Sequence, residues 1–66
     1  MKTLPEMIAC AKREVALRKN FYPKLVTSGK MKADQCRHEI ACMEAIVAEL
    51  ESKAKERELF EPAKPL

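Results

Sequence analysis

The chain has little glycine, few aromatic residues and no long apolar run. A single glycine in 66 residues leaves no room for a glycine-rich phosphate loop. Phe21, Tyr22 and Phe60 are its only aromatic residues, too few for a base-stacking platform that holds single-stranded nucleic acid. No stretch approaches the roughly 18 consecutive apolar residues of a membrane span, so no membrane insertion is expected. No signal peptide is expected either, because Lys2 is the only early charge and Pro5 and Glu6 break the first apolar stretch. No serine or cysteine sits in the motif context of a nucleophile. The glutamates recur at ion-pair spacing on solvent faces, and an enzyme is not expected. The three cysteines, Cys10, Cys36 and Cys42, are odd in number and follow no secretory leader. That pattern points to reduced thiols in a cytoplasmic protein.

What is present favours helix. Apolar residues make up 47% of the chain, and Ala, Leu, Glu, Lys and Arg dominate. A chain of this length makes one small domain, and it buries only about 60% of the surface that its unfolded form exposes. Such domains are commonly completed by a disulfide, a metal or a partner subunit. The ordering pattern lies in residues 33–57. There Ala33, Cys36, Ile40, Met43, Val47, Leu50 and Ala54 recur at alternating steps of three and four, which keeps one stripe of a helix toward one partner. An earlier stripe of Leu4, Ile8, Ala11, Val15, Tyr22 and Leu25, widened by Met7 and Val26, supplies that partner. Arg18 interrupts it, with a long stem able to lie along the seam while its head reaches water.

Local signals set the ends. Thr3 and Glu6 have capping-box spacing, with Pro5 in the first turn where its missing N–H has no intrahelical partner. Pro23 falls inside the first pattern. The stripe keeps its phase across it, which predicts a kinked helix over residues 4–28 rather than two helices. Gly29 follows the last periodic residues and suits a left-handed helix end, with Met31 folding back onto the last turn. A second helix is expected over residues 32–59. Lys32 is a poor cap, and Asp34 compensates by placing a carboxylate in the first turn. Within that helix Glu49–Lys53 and Glu51–Lys55 are spaced as surface ion pairs. So short a link makes the helices antiparallel. The expected architecture is therefore an all-α helical hairpin over residues 3–60, with a flexible tail at 61–66. Two prolines in that tail match a minimal polyproline ligand, a spacing common in terminal tails.

Apolar residues remain after each helix has used its seam. Cys10, Leu17 and Phe21 lie about 100° from the first stripe, and Cys42, Ile46 and Phe60 lie similarly on the second helix. A lone hairpin buries one seam per helix, whereas two hairpins paired as a four-helix bundle bury both sets. Burying a Leu, Ile or Phe is worth roughly 1.5–3 kcal/mol, large beside the stability of a small hairpin. A homodimer is the expectation, with Cys10, Leu17, Phe21, Cys42 and Ile46 at its interface.

Other constellations point to little chemistry. Cys36, His38 and Cys42 suggest a metal set, but residues 36 and 42 point about 120° apart on a helix. His38 and Cys42 alone do not close a zinc site. No metal and no cofactor is expected, and Asp34 stands four residues before His38 as a pairing partner. Charge is asymmetric. Residues 1–32 carry eight Lys or Arg against Glu6 and Glu14, a balance of +6, and residues 33–66 balance to −3. Two helices attracting each other accounts for this. The alternative is a nucleic-acid-binding face built from Lys12, Arg13, Lys19, Lys24, Lys30 and Lys32, although these residues lie on both flanks of the first helix.

In its order of Arg13-Glu14-Val15-Ala16-Leu17-Arg18, Tyr22-Pro23, Gly29-Lys30-Met31, Glu39-Ile40 and Met43-Glu44-Ala45-Ile46, the chain resembles small helical proteins encoded by bacteriophages and prophages. The resemblance covers about residues 4–50. It extends to the accessory proteins of the lambdoid early region, which influence phage development and host physiology. Relatives often carry a Thr after the Gly-x-Met, where this chain has Lys32. The resemblance implies a bacterial host cytoplasm and an accessory role exercised by binding a host or phage protein. The surface offered to that partner is the outer face of the first helix near Arg13, Arg18, Phe21 and Tyr22, or the turn at Gly29.

Overall fold

The computed structural model describes residues 2–60, which form two helices packed as an antiparallel hairpin: α1, Leu4–Thr27, and α2, Ala33–Phe60. The expectations for the tail at 61–66 and for the side chain of Phe60 lie outside the described residues.

Thr3 begins α1. Its Oγ1 accepts from the Glu6 backbone N–H at 3.3 Å, and its own N–H donates to Glu6 Oε1 at 3.5 Å. Two N–H groups that the helix geometry leaves orphaned are thereby satisfied. The helix continues unbroken through Pro23, so the proline does not divide it. It ends at Gly29, whose φ of +78° is the left-handed conformation that glycine adopts without a Cβ penalty. The Lys30 N–H donates to the Leu25 carbonyl at 2.8 Å and the Gly29 N–H to the Val26 carbonyl at 3.0 Å. This pair of bonds is a Schellman ending, which occupies the last carbonyls and reverses the chain. Met31 is half-buried just beyond it. Asp34 lies in the first turn of α2 but pairs with Arg37 rather than with His38.

The interior is thin. Leu4, Ala11 and Cys36 are buried, and no described side chain is sealed completely. The seam residues Ile8, Val15, Tyr22 and Leu25 face Ile40, Met43, Val47, Leu50 and Ala54, all of them half-buried. Two parallel rods touch along a line, so each covers only one side of the other. Ala33 is exposed, since α2 begins there before the rods meet, and Met7 is exposed as well rather than part of the seam.

Candidate interaction surface

Written as heptads, the α1 seam places Leu4, Ala11, Arg18 and Leu25 at position d and Ile8, Val15 and Tyr22 at a. On α2, Cys36, Met43 and Leu50 take d while Ile40, Val47 and Ala54 take a. In an antiparallel pair the e positions of both helices share one flank and the g positions share the other. The two flanks of this hairpin differ sharply.

The e flank is closed by charge. Lys12 Nζ lies 3.0 Å from Glu51 Oε2, and Lys19 Nζ lies 2.8 Å from Glu44 Oε2. All four residues are at e, one heptad apart on each helix. Both bridges join residue n of α1 to residue 63 − n of α2, which fixes the register. Glu51 thus turns across the hairpin to Lys12 instead of along its own helix to Lys55. Neither expected α2 pair, Glu49–Lys53 or Glu51–Lys55, occurs among the described ion pairs. The b positions beside them are Ala9, Ala16, Ala41 and Ala48.

The g flank, with its neighbouring c positions, is apolar. In the same register Leu17 stands level with Ile46, Phe21 with Cys42, and Glu14 with Glu49. Met7, Leu17, Phe21 and Ile46 are 38%, 44%, 51% and 48% exposed. Among the described residues they are four of the five exposed large hydrophobic ones; the fifth, Leu59, stands at an outward f position. Cys10 and Cys42, both at c, are exposed free thiols on this flank, whereas the free thiol of Cys36 is buried in the seam. The Lys24 ammonium sits 5.6 Å from the centre of the Phe21 ring. The five residues expected at a self-association surface therefore share one side of the molecule, and Met7 joins them.

Arg18 lies between seam and flank. Its Nε donates to Glu14 Oε1 at 2.9 Å, and its Nη1 donates to the backbone carbonyl of Glu39 at 3.1 Å. Glu39 Oε1 is 3.4 Å from the same nitrogen, and the guanidinium carbon is 5.6 Å from the centre of the Tyr22 ring. The hydrogen bond to Glu14 raises the Arg18 pKa above its ordinary value, against the lowering effect of desolvation; the charges of Tyr22, Glu14 and Glu39 also raise it. A cation at a seam position is tolerated because its Nε and Nη1 are both hydrogen-bonded, to carboxylates and to a backbone carbonyl. Of the residues expected to meet a partner protein, Phe21 is exposed on the g flank and Arg13 is exposed at an outward f position. Arg18 and Tyr22 are half-buried between the helices. These four do not form one patch.

His38 Nε2 contacts Cys42 Sγ at 3.5 Å. Among the described residues no group of three or more His, Cys, Asp or Glu side chains converges as a metal site. No described helix is long and apolar enough to cross a membrane.

These features define a class: a two-helix antiparallel hairpin with one ion-paired flank and one uncovered apolar flank. No family model, no curated protein and no solved structure matches the chain.

Proposed function

We propose that this chain is a self-associating protein-interaction module without enzymatic activity, an accessory protein of the phage-encoded kind that its sequence resembles. It acts in a bacterial cytoplasm by holding a host or phage protein and thereby alters phage development or host physiology. The observation that carries this reading is the apolar surplus: Leu17, Phe21 and Ile46 are each about half exposed on a hairpin whose seam is already occupied. Completing the burial of each side chain is worth roughly 1 kcal/mol, half of its full transfer value. A chain with so thin an interior gains its stability by hiding this surface in a second copy, as a dimeric four-helix bundle. The same geometry weighs against the nucleic-acid alternative. Lys12 and Lys19 are neutralised by Glu51 and Glu44, and Arg18 by Glu14 and Glu39, so three of the basic groups on α1 are already engaged.

Sedimentation of the full chain at micromolar concentration tests the reading. A mass twice that of the 7.5 kDa chain is expected, and a concentration-independent monomer overturns it. Duplex or single-stranded DNA should not be bound at low salt. Binding that falls steeply between low and moderate salt would replace the protein-binding role with a phosphate-binding one.

A further inference from the structure

We infer that the second copy docks on one side only, the g flank carrying Leu17, Phe21, Cys42 and Ile46, and that the ion-paired e flank stays in water. The inference rests on the self-association reading and names its surface. Three observations converge on it.

The first is the distribution of apolar surface. Four of the five exposed large hydrophobic residues among those described stand on the g flank. On the opposite side the b positions beside the two bridges are Ala9, Ala16, Ala41 and Ala48, with little area to hide.

The second is charge. Between the Cys10 and Lys24 levels the g and c positions hold Glu14, Glu39 and Glu49 against Lys24 and Lys53, and the seam cation Arg18 reaches Glu14 and Glu39 at their edge, so the flank carries almost no net charge. A strongly acidic or basic partner gains nothing from such a surface, while an identical copy is not repelled by it. On the e flank Lys12, Lys19, Glu44 and Glu51 are joined already, and docking there strips water from these bridges with little apolar gain.

The third is size. The 24 residues of α1 span about 36 Å at 1.5 Å per residue. Two helices side by side, about 9 Å between axes, make a face roughly 18 Å wide. The product, on the order of 650 Å², approaches the roughly 800 Å² per partner of a standard stable interface.

The chain carries its own reporters. Cys10 and Cys42 stand on the flank assigned to the interface, and buried Cys36 is an internal reference. Pulsed alkylation of the full-length chain, resolved by cysteine in a mass spectrometer, is run across the concentration range in which sedimentation shows the mass to change. Cys42 modification should slow about fivefold once the chain concentration is about ten times the dimer dissociation constant, as mass action requires. In Phe21→Asp it should stay fast at every concentration. An Ala48→Cys reporter on the opposite flank should be modified at one rate throughout. A dimer in which Cys42 stays fast and Ala48→Cys becomes protected overturns the choice of flank and leaves self-association standing. A chain that remains monomeric, with no thiol protected by concentration, overturns both.

Discussion

The two flanks of this hairpin are built from the same two helices in the same register, yet one is finished and the other is not. On the e flank Lys12 and Lys19 of α1 each meet a glutamate of α2 at 2.8–3.0 Å, and the b positions beside these bridges are Ala9, Ala16, Ala41 and Ala48. On the g flank Leu17 and Phe21 stand level with Ile46 and Cys42, facing outward. Exposed ion pairs add little stability, typically below about 1 kcal/mol each, but they require no further partner. Exposed apolar side chains add nothing until something covers them. One flank is therefore completed within the chain, and the other sets how the chain meets its surroundings.

The comparison can be broken by substitution. The largest effect is expected from Phe21→Asp or Ile46→Asp, each of which places a charge in the centre of the apolar flank. Dimer affinity should fall about a hundredfold or more, as for a central interface residue, while circular dichroism still reports helix. Unchanged mass in both variants would show that this flank carries no self-association.

Gly29→Ala comes next. A side chain at φ +78° is strained although nothing crowds it within 4 Å, and the hairpin should lose about 1–2 kcal/mol in a denaturant titration. The loss should fall on both flanks equally, because the turn sets the register of each.

Smaller still is the Lys12→Ala and Glu51→Ala pair. A double-mutant cycle should return a coupling of about 0.5 kcal/mol that shrinks at high salt. A coupling well above 1 kcal/mol would show the e flank to be a dominant source of stability. Ala16→Glu on that flank should leave the mass unchanged, and dissociation by this variant would reverse the assignment of the flanks.

Arg18 sharpens the comparison differently. Replacing it with Met leaves the Glu14 and Glu39 carboxylates able to turn to water, since both side chains are half-buried rather than enclosed. Hairpin stability should change by less than about 1 kcal/mol in either direction. A loss of several kcal/mol would mean that the bond to the Glu39 carbonyl holds the helices together, rather than simply accommodating a cation at the seam.

Most of the fold was legible along the chain, because the signals are local. The Thr3–Glu6 box, the left-handed Gly29, the Glu14–Arg18 pair and the three-four spacing of both seams each involve residues within about one turn or one heptad of one another. The helix ends observed, Leu4–Thr27 and Ala33–Phe60, lie within one residue of those that the caps and spacing predict. Met7 neighbours Ile8 and extends the stripe along the chain, whereas the meeting of the two rods puts it on the exposed flank. The apolar surplus at Leu17, Phe21 and Ile46 was also legible, as residues out of phase with the seam.

Sequence alone thus settles what depends on neighbours along the chain: two amphipathic helices, a reversal at the lone glycine, and more apolar surface than one hairpin can cover. Tertiary structure decides what depends on register. Glu51 is four residues from Lys55 and thirty-nine from Lys12, and only the level at which α1 lies against α2 gives it to Lys12. The same register brings the Arg18 guanidinium to the Glu39 carbonyl and gathers Cys10, Leu17, Phe21, Cys42 and Ile46 on one side. The physical reason is that spacing within a helix follows from its pitch. Alignment between helices is set jointly by the turn and the packed seam, and no single stretch of the chain contains both.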